Sequence, residues 1–125
     1  MRVYSGSAPA TADAAETGTI LLQITDSAGA FTAGTATNGL EFDAVVTGKL
    51  SALTTQTWQD AALATGTAGY CRLYDNAHIT GSSTSSIRLQ GTVGTSGAEL
   101  NISSTSLTVG ATTTVDTFDI TVPAS

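Results

Sequence analysis

The feature that most constrains this chain is apolar side chains recurring at every second position within stretches rich in threonine. Phe118, Ile120 and Val122 oppose Thr117, Asp119 and Thr121 in the clearest such run. Threonine, at 24 of 125 residues, is β-branched and stiff about χ1, which suits a pleated strand better than a helix. The same period of two recurs elsewhere. Ile20, Leu22 and Ile24 alternate with Leu21, Gln23 and Thr25. Cys71 and Leu73 oppose Tyr70, Arg72 and Tyr74. Ile87 and Leu89 oppose Arg88 and Gln90, and Leu100 and Ile102 oppose Glu99 and Asn101.

Turn residues separate these runs. Asp26-Ser27-Ala28-Gly29 carries the composition of a type I turn, and Asn38-Gly39 tolerates positive φ at both residues. Gly48, Gly66, Asp75-Asn76, Gly81 and Gly110 mark further connections, and Gly81 to Ser86 reads as an exposed loop. Only Pro9 to Glu16 suggests helix, at most a short capped turn near 10–16 using Asp13 and Glu16. Strand signals spaced by roughly ten residues predict an all-β fold. The expected architecture is an antiparallel β-sandwich, jelly-roll or immunoglobulin-like, of seven to nine short strands. No repeat or linker divides the chain, so one domain over residues 1–125 is expected.

Composition narrows the function classes. Thr, Ser, Ala and Gly make up more than half the chain. Leaving out Ala, 32 apolar or aromatic residues remain, enough for a modest core. A mean hydropathy of +0.17 with 11% charged residues argues against disorder. Four Lys and Arg face ten Asp and Glu, a net charge of −6. That balance disfavours nucleic acid and anionic membranes, which need clustered cations. A single cysteine excludes an intramolecular disulfide and a cysteine-based zinc site. The longest aliphatic cluster, Ile20-Leu21-Leu22, is far short of a membrane span, and no run of signal-peptide type follows Met1. Synthesis in the cytoplasm is therefore the expectation, and the sequon Asn101-Ile102-Ser103 is discounted.

The chain is poor in reactive constellations, and neither an enzyme nor a cofactor or metal site is expected. His78 stands alone near Asp75, Ser82 and Ser83, and reads as a loop histidine rather than a triad member. Cys71 reads as a buried thiol, with no second histidine to act as its base. Glu41 and Asp43, two apart, share a strand face that reads as solvated. The run Gly91 to Gly97 lacks the Gly-Lys-Ser/Thr ending of a phosphate loop and reads as a flexible turn. Trp58, Tyr70 and Tyr74 are the candidate aromatic contact surface. They suit a carbohydrate-stacking platform, or equally a core anchor with two half-exposed strand residues.

Four stretches, in order and spacing, resemble a family of small tailed-bacteriophage proteins encoded among the head and head–tail genes. The first runs from Arg2-Val3-Tyr4-Ser5-Gly6-Ser7-Ala8-Pro9 through Asp13-Ala14-Ala15 to Thr17-Gly18-Thr19-Ile20-Leu21-Leu22. The second runs from Trp58 through Thr65-Gly66-Thr67-Ala68-Gly69-Tyr70-Cys71-Arg72-Leu73-Tyr74. The third is Gly91 to Ile102, and the fourth is the Thr-rich strand ending Phe118-Asp119-Ile120-Thr121-Val122-Pro123. The resemblance implies a virion structural protein without catalytic residues, first of all a capsid decoration or cement protein on the assembled head. Its implied partners are the phage major capsid protein or neck and tail proteins, and a homo-oligomer, trimer first, is expected. A neck, collar or tail-associated ring is the alternative placement, and a carbohydrate-binding β-sandwich module is the alternative of another class. Cys71 stands where the resemblance leads one to expect an aromatic residue, which implies a packing position.

Overall fold

The structure, a computed structural model, describes residues 1–123. It is all-β, with ten strands: β1 (Arg2–Ser5), β2 (Ile20–Gln23), β3 (Thr25–Asp26), β4 (Lys49–Ser51), β5 (Trp58–Ala61), β6 (Gly66–Tyr74), β7 (Arg88–Gly94), β8 (Leu100–Ile102), β9 (Ser106–Leu107) and β10 (Thr112–Thr121). The count exceeds the expected seven to nine because β3 and β9 are only two residues long. No described residue is helical. Pro9 to Glu16 forms a single turn, closed where Ala14 N–H donates to the Thr11 carbonyl at 3.3 Å. The 26–29 turn also departs from expectation. Ser27 and Ala28 both adopt positive φ, 53° and 55°, as in a type I′ turn rather than type I.

The strands hydrogen-bond in the order β2-β1-β6-β7-β8-β10-β5-β3, with β4 also on β10 and β9 also on β6. The two ends of that path are one piece of chain, since only Ile24 separates β2 from β3. The sheet therefore curls back on itself into a nearly closed barrel, which removes most free edges. At the seam Leu63 N–H donates to the Leu21 carbonyl at 2.8 Å.

Pairing is antiparallel except for β7 with β8, where Val93 faces Leu100 and Gly94 faces Asn101 in parallel. Parallel neighbours normally need a crossover of a dozen or more residues. Here residues 95–99 suffice, because only two residues pair and the Glu99 side chain folds back onto β7. Glu99 Oε2 accepts from Thr92 N at 2.8 Å and from the Thr92 hydroxyl. The glycine run read as a flexible turn is thus the end of β7 and this short return.

Strand β10 serves three partners in succession: β5 at Thr112–Thr114, β8 at Val115–Phe118 and β4 at Asp119–Thr121. A register shift between Val115 and Thr117 leaves Asp116 as a β-bulge residue.

The core collects Val3, Leu22, Ile24, Trp58, Cys71, Leu100, Ile102 and Phe118, all under 5% exposed. Each such side chain contributes about 1.5–3 kcal/mol by leaving water. The opposite face of β1 and β6 is also buried. Tyr4 and Tyr70 stack there at 5.0 Å, and Arg72 is fully enclosed. Their cover is the strap 6–19 between β1 and β2. It passes so close to Gly69 that a Cβ there would sit 1.8 Å from the Gly6 carbonyl oxygen. Strand β7 inverts the usual polarity: Arg88 is buried, while Ile87 is 73% and Leu89 49% exposed.

Candidate functional site

The polar layer beneath the strap is organised by one carboxylate. Glu16 Oε1 lies 3.1 Å from Arg72 Nη1 and 3.4 Å from Arg88 Nη1, and it accepts from Tyr74 Oη at 2.7 Å. Its other oxygen accepts from Gly81 N at 2.8 Å. The two guanidiniums also donate to backbone carbonyls, Arg72 to Ala14 and Arg88 to Gly81 and Ser83. Gln90 joins them, accepting from Arg72 Nη2 at 2.7 Å and donating to the Pro9 carbonyl at 2.8 Å. Burial works to raise the Glu16 pKa, but the Tyr74 and Gly81 hydrogen bonds and the Arg72 charge prevail and bring it from 4.5 to about 2. These groups are consumed in holding the strap and the 81–86 loop, which is tied down rather than free.

The three aromatic residues singled out in the sequence do not form a shared contact surface. Trp58 is a core residue, 5.5 Å from both Phe42 and Phe118 by ring centroid, and its Nε1–H donates to Gln56 Oε1 at 3.0 Å. Tyr70 lies under the strap, where its hydroxyl donates to the Thr17 carbonyl and accepts from Thr17 N. Tyr74 is half-buried with its hydroxyl between Tyr4 and Glu16, so burial and those hydrogen bonds keep the phenol protonated. The correction has a simple cause: Tyr70 and Tyr74 share a face, as their spacing predicts, but the strap covers that face.

His78 follows the 75–77 turn, its ring wedged 4.7 Å from Phe31 and 4.5 Å from Tyr74. Burial, then the Arg2 charge, brings its pKa from 6.5 to about 4. Ser83, a sequence neighbour, bonds instead to Ser86 at 2.8 Å. Cys71 is in the core with its thiol pushed up to about 12 by burial, which makes it a poor nucleophile. Glu41 is exposed, and Asp43 Oδ2 accepts from Thr54 N at 3.2 Å. Among the described residues no group of three or more His, Cys, Asp or Glu is placed to hold a metal, and no helix is long and apolar enough to cross a membrane.

A cleft of about 340 Å³ lies between the 51–58 segment and the bulge of β10. Ala52, Leu53, Val115 and Phe118 supply apolar wall, and Asp116 sits on the bulge with Thr54 across from it in the lining. A bulge re-aims a side chain that regular alternation would place elsewhere. The sequence carried a signal for it: the apolar residues of β10 fall at 115, 118 and 120, a spacing of three followed by two.

No family model matches this chain. No curated protein and no solved structure matches it. The functional reading therefore rests on the motifs and on the geometry above.

Proposed function

We propose that this chain is a structural protein of a tailed-phage virion, a homo-oligomer that decorates or cements the assembled head. One observation carries the reading. The four stretches that resemble phage head-region proteins contribute to the barrel staves β1, β2, β5, β6, β7, β8 and β10, and they include the strap. The motifs thus fall mostly on the strands of one sheet and on the strap that covers it. Two of the segments outside them, 24–57 and 75–87, meet where Gly34 N–H donates to the Asn76 carbonyl at 2.6 Å and Phe31 packs on His78.

The surface fits a protein that works by association. Strand β8 reaches only Val93 and Gly94, so Arg88–Thr92 of β7 has a strand on one side alone. Exposed Leu89 lies along that stretch, and exposed Ile87 immediately precedes it. Such an edge is an aggregation liability in a monomer and an asset in an assembly.

The test is cosedimentation of the purified chain with phage heads lacking it. Stoichiometric binding to assembled heads, and none to free major capsid protein, is the expected result. Failure to bind heads removes the decoration reading. Immunogold labelling of intact and disrupted particles locates the chain. Label over the head supports decoration, and label confined to one vertex or the tail supports the neck or tail ring instead.

A further inference from the structure

The cleft at the β10 bulge has a composition that selects its occupant. All four cations of the chain are engaged internally. Arg2 donates to Gln23 Oε1 at 2.9 Å, Arg72 and Arg88 share Glu16, and Lys49 Nζ lies 2.9 Å from Asp119 Oδ2. The carboxylates outnumber them ten to four. Asp116 is exposed, lines the cleft, and makes no hydrogen bond or ion pair among the described residues. Asp119 is the second carboxylate in the lining. The nearest cation in the lining of the adjoining groove, Lys49, is already neutralised by Asp119.

An anion is repelled by this rim. A sugar ring finds no aromatic face, because Trp58 is 3% exposed and flanked by Phe42 and Phe118. A metal ion finds no group of three ligands among the described residues. A wholly apolar ligand would cover the Asp116 carboxylate without compensating it. A cationic side chain on an aliphatic stem meets each condition. Its methylenes lie on Val115, Leu53 and Ala52 while its charge reaches Asp116 at the rim, as long basic side chains do on mixed surfaces. The volume of about 340 Å³ accommodates such a side chain.

We propose that this cleft receives a lysine or arginine side chain presented by a partner protein. The inference goes beyond the virion reading, since any partner with a basic surface satisfies it. A single exposed ion pair binds weakly, so the contact acts through repetition: copies in an array multiply it by effective concentration.

The experiment is an amide NMR titration of the ¹⁵N-labelled chain at low salt. The probes are Nα-acetyl-lysine methylamide, its arginine counterpart and the neutral norleucine isostere. Saturable shifts confined to residues 51–54 and 115–119 are expected with one or both basic probes, about fivefold stronger than with norleucine. Asp116→Asn, on an exposed bulge, should leave the spectrum folded and remove that advantage, and added salt should do the same. Equal binding of norleucine, shifts centred elsewhere, or basic-probe binding unchanged in Asp116→Asn would each overturn the proposal. None of these outcomes bears on head binding, so the two readings fail separately.

Discussion

The paired strands β1 and β6 are buried on both faces, and the two faces are sealed by opposite chemistry. On the inner face Val3 and Cys71 stand directly paired across the strands, and both are enclosed by apolar neighbours. On the outer face Tyr4, Tyr70 and Arg72 are just as inaccessible, but what covers them is a polar strap. The inner seal is non-directional, roughly proportional to area, and forgiving of volume-conserving change. The outer seal is directional. It depends on Glu16 meeting two guanidiniums, a phenol and a backbone amide at once. It is also incomplete, because the Nε atoms of Arg72 and Arg88 are buried without a hydrogen-bond partner. Charges taken out of water seldom add net stability over apolar substitutes. What the outer layer contributes is position: it dictates where residues 6–19 and 81–83 lie.

The comparison breaks most easily on the inner side. Phe118→Ala opens a void beside Trp58 and should cost about 4 kcal/mol in urea unfolding. A loss below about 1 kcal/mol would mean the barrel interior is not the main source of cohesion. On the outer side, Glu16→Gln leaves two buried guanidiniums without their counter-charge and should cost about 3 kcal/mol. The informative partner is the triple change Glu16→Leu, Arg72→Met and Arg88→Met. It should recover most of that loss, while amide exchange at Thr17 quickens because the strap loses its anchor. If the triple variant is no more stable than Glu16→Gln, the ion triad is a net stabiliser and the contrast between the faces is wrong. Gly69→Ala probes the strap by sterics alone. Its Cβ would overlap the Gly6 carbonyl, so the strap must lift, at about 2 kcal/mol. Core amide protection should survive, and protection of Thr17 should not.

The two faces were also unequally legible. Alternation along β10 placed Phe118 inside correctly, and the pairs Leu100 with Ile102 and Cys71 with Leu73 were grouped as the structure groups them. Periodicity, however, says which residues share a face and not which face is covered. In β7 it separated Arg88 from Ile87 and Leu89 but could not foretell that the arginine side would be buried. That outcome depends on Glu16, 72 positions away in the chain. Read locally, Glu16 looked like the cap of a short helix. Its actual partners are supplied by β6 and β7, and those long-range bonds override the weak helical preference of an alanine-rich stretch. The site was legible in the same partial way. Asp116 gives no signal of its own, because a bulge is a local failure of the alternation that makes a strand legible. The spacing of Val115 and Phe118 was its visible trace.

The smallest expected effect comes from acid, and it separates the faces without any packing change. The inner face carries one titratable side chain, Cys71, whose thiol stays neutral well above physiological pH. Among these side chains acidification therefore acts on the outer layer and its margin, while the Met1 amine, brought from 8.0 to about 5 by burial, adds a background common to every variant. His78 rests against Tyr74, whose hydroxyl belongs to the Glu16 cluster. The folded ring binds a proton only near pH 4, against 6.5 when unfolded. The His78 contribution to stability should be full above pH 6.5 and decline as pH falls towards 4, by about 1 kcal/mol once solvent screening of a half-buried ring is allowed for. Glu16, held to about 2 against an ordinary 4.5, adds a second decline as pH falls from 4.5 towards 2. Urea midpoints measured from pH 7.5 downward should show both steps. His78→Asn should flatten the upper step and spare the lower, and Glu16→Gln the reverse. A midpoint that stays level from pH 6.5 to 4.5 in the parent chain would show that His78 is solvated rather than wedged. The margin of the strap would then be looser than the layer it covers.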